Sequence, residues 1–415
     1  MAGNINWAGN LEYSTERVQR PQSLAEVQDA VRKAKRLHAV GSRHSFTPVA
    51  DSDSEQISLR ALNRVLAIDA VAKTVTVEGG ITYGQLAPVL HEAGFAIRNT
   101  ASLTTVTIAG ATATATHGSG NTNQNLAGAV RSVKIVTAGG EIASFTRGDP
   151  EFDGVVVSLG ALGVIAELTL DIQPTFEARQ EVYTGLPFET LADNFEDIMG
   201  GGYSVSLFHN WTGDVVPQVW VKSLATAPRH AGDYFGAVSA TQRWHPMPGF
   251  DPATVTEQMG VHGPWHLRLP HVRDEVMATS GNEIQAEYFV PRQQAGAALR
   301  AVKGVQDRMA QVMLVGEIRT VAADTMWLST AFERDCVAIH FAFRRDWPGI
   351  KAVLPDVEAV LRPFAPRPHW GKVFTMPAAE VQSRYPRLEQ FRTLRKKLDP
   401  QGKFSNAFID EYVGR

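Results

Sequence analysis

Residues 99–120, NTASLTTVTIAGATATATHGSG, contain almost nothing but glycine, alanine, threonine and serine around a few aliphatics. A stretch so poor in bulky side chains buries little core of its own. Its backbone can instead approach another group closely, with many N–H and hydroxyl donors left to hold it. Composition alone also allows a flexible linker. The regularly spaced β-branched threonines argue for ordered backbone. With 415 residues in all, at about 150 per domain, the chain has room for two or three folding units around such a tract.

Lys plus Arg number 40 and Asp plus Glu 43, a formal net charge of −3. No basic excess is available to neutralise a phosphate backbone or an anionic membrane, so nucleic acid and membrane surfaces are not expected partners. Hydrophobic residues at 44% and charged residues at 20% indicate a packed globular protein. A single cysteine, Cys336, rules out an internal disulfide and any multi-thiolate metal site within one chain. It suits a reducing compartment. The first residues, MAGNINWAGNLEYSTERVQRP, have neither a basic n-region nor an apolar h-region, and no run approaches a membrane span. The reading is a cytoplasmic protein with no metal, expected as a monomer.

Local pattern divides the chain. Ser23 to Arg36 carries capping-box spacing at Ser23 and Glu26 and one apolar stripe through Leu24, Val27, Ala30, Val31 and Ala34, which predicts a helix. A short strand at His38 to Val40 should run into GSRHSF at 41–46. Lys73 to Gly79 alternates as a strand, Thr82 to Gly94 suits a helix closed by glycine, and Val130 to Phe145 reads as a hairpin around Ala138-Gly139-Gly140. GALGVIAELTLDIQP at 160–174 leads into a long strand and ends the first region at Pro174. From about 176 to 375 most of the tryptophans and histidines appear, with a proline-rich, aromatic connection between Ala227 and Pro270. Its strongest strand is CVAIHFAF at 336–343, with Val337, Ile339, Phe341 and Phe343 on one face and His340 on the other. Leu388 to Leu398 should be a helix stopped by Asp399-Pro400.

Neither GxGxxG after a strand nor GxxxxGK[ST] occurs, and there is no GxSxG elbow and no HExxH. Two small-residue loops each hold a histidine: GSRHS at 41–45 and THGSG at 116–120. Such loops can bind a pyrophosphate through backbone donors, with the histidines close to whatever ring system is attached.

GSRHSF, THGSG, GALGVI, the pair Glu317-Ile318-Arg319, HWGKVF and LDPQGKFSNAF together resemble the vanillyl-alcohol-oxidase-type flavoproteins, and within them the alditol oxidases. The likeness runs from about residue 10 to the C-terminus. The FAD-domain motifs are shared with aldonolactone oxidases, whereas HWGK and Ala101-Ser102-Leu103 point to alditols. The resemblance implies an α+β fold: an FAD-binding domain of two small subdomains over 10–175, a cap domain with an antiparallel sheet over the flavin at 176–375, and a segment at 376–415 returning to the FAD domain. It implies FAD held by Ala39, Val40, Gly41, Ser42, Arg43, His44, Ser45, Ser102, Thr107, Gly110, Thr114, Ala115, Thr116, His117, Gly118 and Ile165. His44 would be joined covalently to the flavin.

Each site residue also has a plainer reading. A loop histidine such as His44 is ordinarily solvated, and His117 suits hydrogen bonding within its loop or to the cofactor rather than catalysis. Glu317 and Arg319, two apart in a strand, project from one face; surface ion pairs are the usual fate of such residues, yet the apolar flanks suggest a central strand. His340 in so apolar a strand is more often a satisfied core residue than a catalyst. Lys372 would share a strand face with Trp370 and Phe374 and be partly desolvated.

The resemblance implies that Lys372, Arg319, His340 and Glu317 are catalytic, and that Ser102, Glu317, Arg319, Ala342 and Lys372 contact a polyol. Ala342 departs from the pattern, because alditol oxidases usually carry a substrate-contacting threonine two positions after the active-site histidine. The implied reaction is oxidation of the terminal CH2OH of a linear alditol such as xylitol or sorbitol to the aldose, with hydride passing to flavin N5 and O2 reduced to H2O2. The alternatives are a gulono- or galactono-lactone oxidase and a flavin- or carbohydrate-binding protein without turnover.

Overall fold

The computed structural model describes residues 4–230, 232–273, 281 and 283–414. The first unit opens with a parallel three-stranded sheet of β1 (Val18–Gln19), β2 (Leu37–Ala39) and β3 (Glu55–Ile57), in the order β1-β3-β2. The helix Leu24–Lys33 covers it. Ser23 Oγ accepts from Glu26 N at 3.2 Å, while the Glu26 carboxylate takes the Gln22 N–H, so only half of the expected capping box closes. Val27 and Val31 pack with Leu37, Ile57, Val136 and Phe404. Phe404 comes from the far end of the chain, and Lys403 Nζ donates to Val31 O at 2.6 Å.

Five antiparallel strands form the second sheet: β4 (Val65–Asp69), β5 (Thr74–Glu78) and, beyond the short β6 (Phe95–Ala96), β7 (Val130–Val136), β8 (Ile142–Thr146) and β9 (Val164–Asp171), ordered β4-β5-β9-β7-β8. The β7–β8 hairpin turns where the sequence places it, and Gly140 at φ +86° supplies the left-handed residue. The short strand β10 (Gln173–Pro174) pairs with β6. The helix Tyr83–Glu92 is closed at its start by a complete Thr82/Gln85 capping box.

The remaining strands make a large antiparallel sheet. They are β11 (Glu177–Pro187), β12 (Ser204–His209), β13 (Val215–Leu224), β14 (Val238–Ser239), β15 (Gly263–Pro264), β16 (Glu283–Pro291), β17 (Met313–Val321), β18 (Cys336–Arg344) and β19 (Arg367–Pro368). Their order is β14-β11-β13-β12-β17-β18-β16-β19, with β15 alongside β11. Val337, Ile339, Phe341 and Phe343 of β18 join a core with Leu299 and Val302 of the helix Ala295–Lys303 and Ile350, Leu354 and Val357 of the helix Trp347–Leu361. The other face of the sheet meets the small-residue tract of the first unit.

The 99–120 tract is ordered, as its threonines suggest, and its centre is a short helix, Ile108–Ala113. One expectation needs correction. HWGKVF is not a strand. Residues 369–372 turn, with Lys372 N donating back to His369 O at 3.0 Å. Trp370 therefore points into the core, its indole N–H on Leu328 O at 2.8 Å, and Lys372 does not share a strand face with it.

Candidate active site

The loop after β2 starts from a tight approach. A Cβ on Gly41 would lie 2.4 Å from Thr107 Oγ1, and Ser42 Oγ accepts from Thr107 N at 3.3 Å. Ala39 ends β2, and Val40 N donates to Ile57 O. Arg43 holds the left-handed conformation at φ 63°, an unusual one for a residue with a side chain. The His44 ring lies against Trp7 at 4.9 Å between centroids, with Nε2 3.2 Å from Thr105 Oγ1. Burial, aided by the Lys372 charge, pulls its pKa down to about 4, so the ring is neutral at physiological pH. Asn6 Nδ2 donates to Ser45 O, and Phe46 N donates to Gly371 O at 2.7 Å, which ties the loop to the turn carrying Lys372.

The tract lies beside this loop. Thr107 caps the helix Ile108–Ala113, and Thr114 N and Oγ1 both return to Gly110 O. Ala115 takes φ 53°, and Thr116 N donates to Ala111 O. On Gly118 a Cβ would sit 2.3 Å from Asn99 Oδ1. Ile165 is buried in β9, its carbonyl 2.2 Å from where a Cβ on Gly79 would stand. Within the tract Asn99 Nδ2 and the hydroxyls of Thr100, Thr104 and Thr112 are buried with no hydrogen-bond partner among the described residues. Such groups are costly unless something other than protein satisfies them.

The opposing sheet face is charged. Phe208, Glu317, His340 and Glu287 stand in one row across β12, β17, β18 and β16. Glu317 Oε1 lies 3.4 Å from Arg319 Nε, and Arg319 Nη1 donates to Ser102 Oγ at 3.0 Å. Burial raises the Glu317 carboxyl, but the Arg319 charge and His271 outweigh it and hold it well below the usual carboxylate range. His340 is buried, its Nδ1 has no hydrogen-bond partner among the described residues, and burial with the Lys372 charge pulls its pKa down to about 3. Lys372 Nζ donates to Gln285 Oε1 and lies 5.4 Å from the Phe46 ring centroid; burial lowers its pKa. Ala342, opposite Gln285 in register, packs among Phe208, Trp220 and Val315 and offers no polar atom.

His117 bonds within its loop, Nδ1 to Gly118 O at 2.8 Å, and reaches across to Glu287 Oε1 at 3.1 Å. The sequence analysis did not single out Glu287. It also passed over His271, 2.7 Å from Glu317, and Lys222 behind it. A signal for Glu287 was present: Glu283, Gln285 and Glu287 alternate with Ile284, Ala286 and Tyr288, a polar face on an apolar strand. None marked His271, which lies at the end of the proline-rich connection.

The family described as "FAD binding domain" matches residues 15–146, and that described as "D-arabinono-1,4-lactone oxidase" matches 277–412. An alditol oxidase of a Streptomyces species is 45% identical over 98% of this chain and 98% of its own length. The chain belongs to the alditol oxidase family. An L-gulono-1,4-lactone dehydrogenase of Mycobacterium tuberculosis, 32% identical over 99% of this chain and 98% of its own, is a more distant relative. A solvent-stable cholesterol oxidase shares the fold at TM-score 0.81 and 18% identity, covering 99% of this chain and 97% of that one.

Like other members of this family of vanillyl-alcohol-oxidase-type flavoproteins, the chain has a two-part FAD-binding domain and an α+β cap, and FAD is its cofactor. The residues present fit that group. The tract presents unpartnered buried donors and hydroxyls, and its glycines let backbone come close. No helix among the described residues is long and apolar enough to cross a membrane.

Proposed function

We propose that this chain oxidises the terminal CH2OH of a linear polyol, xylitol or sorbitol among them, to the aldose, with O2 as acceptor and H2O2 as product. One observation carries the reading. A single sealed sheet face gathers Glu317, Arg319, His340 and, from the neighbouring turn, Lys372 opposite the FAD-binding tract. The 45% identity to an alditol oxidase agrees with it. Such a face offers hydroxyls both acceptors and donors and would reject simple alcohols, whose binding leaves these groups unpaired.

When bound, FAD supplies the hydride acceptor and returns the two electrons to oxygen. The chain's part is to orient the polyol and take the hydroxyl proton. Glu317 accepts from substrate hydroxyls, while Ser102 and Arg319 donate to them. Lys372, biased toward the free amine by burial, is the group that can take the proton as the carbon gives up hydride, and His340, neutral with Nδ1 open, can accept a hydrogen bond from the same hydroxyl. Arg319 and Lys372 place positive charge where the reduced cofactor would carry negative charge.

Ala39 to Ser45, Ser102, Thr107, Gly110, Thr114 to Gly118 and Ile165 would line FAD. We infer that His44 is joined covalently to it: the ring is neutral, and Thr105 engages Nε2 and leaves Nδ1 for the bond. Flavin that stays with acid-precipitated protein is the expected result, and complete release would disprove the link. The unit boundaries at 175 and 375, a monomeric state and a cytoplasmic location, which the single cysteine suits, belong to the same reading.

The deciding experiment is the visible spectrum of the purified protein without oxygen, before and after xylitol. Bleaching reversed by air is expected. A flavin band untouched by polyols but bleached by a gulono- or galactono-lactone would favour the second reading, which the match of residues 277–412 to the arabinono-lactone oxidase family keeps in view.

A further inference from the structure

Beside Glu317, on the same face of the sheet, Lys222 of β13 is fully buried. Among the described residues its Nζ has three partners: the carbonyls of Leu269 and Pro270, the latter at 2.9 Å, and His271 Nδ1 at 3.0 Å. Burial lowers the Lys222 pKa to about 7, and the ammonium it carries below that has three N–H bonds and no acceptor, so three acceptors satisfy it completely. Two are carbonyls, which can only accept. His271 Nδ1 must then present its lone pair, and the ring proton of this neutral imidazole sits on Nε2. That nitrogen is 2.7 Å from Glu317 Oε1.

The chain of donation runs one way, from ammonium to imidazole to carboxylate. The opposite tautomer would put a bare Nε2 against a carboxylate oxygen, lone pair on lone pair. The ring is also fixed in place. Phe208 and Trp220 stand edge-on to it at 5.6 Å and 5.5 Å, and His271 N donates to Ser102 O at 3.2 Å. Burial with the Lys222 charge keeps His271 neutral, with a pKa near 4.

A buried ammonium whose direct partners are all uncharged is an expensive feature, and an apolar side chain of similar length would be cheaper for stability alone. Its use here is to set the tautomer of one histidine. We propose that Lys222 and His271 are positioning residues that fix the orientation of Glu317 toward the polyol. This rests on the polyol reading of the site. Neither residue needs to touch the substrate. Glu317 Oε1 is held by His271 and by Arg319, so one oxygen is committed to protein and the other is presented to hydroxyls.

Two measurements on the flavin-loaded protein test this. The first needs no substrate: in protein labelled with 15N-histidine, the His271 signals, identified by their loss in His271→Gln, should show protonated Nε2 and bare Nδ1. The Nδ1–H tautomer, or an imidazolium at neutral pH, overturns the proposal. The second compares variants with xylitol. Glutamine can accept from Lys222 through its carbonyl and donate to Glu317 through its amide, so His271→Gln should stay within a few-fold of the parent. His271→Leu and Lys222→Met should each lose at least about tenfold in kcat/KM, the worth of one hydrogen bond to a charged group, chiefly through KM. Their combination should cost no more than His271→Leu alone.

Equal losses in His271→Gln and His271→Leu would overturn the role of donation. Should either variant fail to fold, the tautomer in the parent protein still decides. A parent flavin that no polyol bleaches sinks the polyol reading, and with it the purpose assigned to the chain, while the tautomer reports separately on whether the chain exists.

Discussion

Arg319 Nη2 lies 2.9 Å from Glu287 Oε1 although β18 runs between their strands. Ala338, opposite Arg319 in register, is small enough for the guanidinium to pass over it. The Glu287 side chain is wholly sealed, and its Oε1 also faces His117. Arg319 thus joins the cap sheet to the FAD-binding tract through Ser102, and Glu287 does so through His117.

Breaking that pair should be severe. Glu287→Gln leaves the Arg319 charge buried with less compensation, and removing one partner of a buried pair typically costs about 3–5 kcal/mol. The urea midpoint of the flavin-loaded protein should fall accordingly. A shift smaller than about 1 kcal/mol would mean that Glu317 and Ser102 alone compensate Arg319.

Acid should destabilise the protein well before its carboxylates titrate. Burial takes His340 and His369 down to about 3 from an unfolded value near 6.5. Between those limits the unfolded chain binds protons that the folded chain refuses, so stability falls as pH falls, by up to about 1.4 kcal/mol per pH unit for each such histidine. Glu287 and Glu317 act in the same direction lower down, because their depressed pKa values contribute stability above the ordinary carboxylate range that is lost beneath it. Asp324, raised to about 7 by burial, offsets roughly one histidine. Urea melts from pH 7 to pH 4.5 should show a steady decline, and a flat profile would contradict the buried neutral histidines.

How far the sequence led depended on whether a feature was local. The helix Leu388–Leu398 and the β7–β8 hairpin carry their own stop and turn signals, and the structure has them at the expected residues. Glu317 and Arg319 share a face because strand periodicity is a property of three consecutive residues. HWGKVF misled because Trp370 and Phe374 look like alternating core positions. They are buried by different neighbours, Trp370 stacking on Tyr385 and Phe374 lying edge-on to Tyr412. The partners of Glu317 other than Arg319 could not be read at all. His271 is 46 positions away along the chain and Lys222 reaches it from another strand, so only tertiary packing brings them together.

Gly118 offers a test of the tract that substitutes no residue of the charged face. An added Cβ would meet Asn99 Oδ1 at 2.3 Å and Thr100 O at 2.5 Å, and the second is backbone that cannot swing away. Gly118→Ala should therefore push THGSG off its neighbour and reduce the flavin retained per protein, with little change in far-UV circular dichroism. Gly200→Ala is the control. There the nearest atom would be Asn121 Nδ2 at an ordinary 3.4 Å, and flavin content should match the parent.

Lys372 separates proton handling from cofactor binding. Its amine rests on Gln285 Oε1 and above the Phe46 ring, and burial lowers its pKa. Lys372→Met keeps the length and apolar stem and removes only the nitrogen. A positioned group that takes a proton in the rate-limiting step contributes about 10²–10⁴-fold, so kcat with xylitol should fall by that factor while flavin content stays near that of the parent. Anaerobic bleaching by xylitol should slow by the same factor, which places the loss in substrate oxidation rather than in the return of electrons to oxygen. Turnover unchanged in Lys372→Met would remove the lysine from the reaction and leave His340, with its open Nδ1, as the hydrogen-bond acceptor for the hydroxyl on this face.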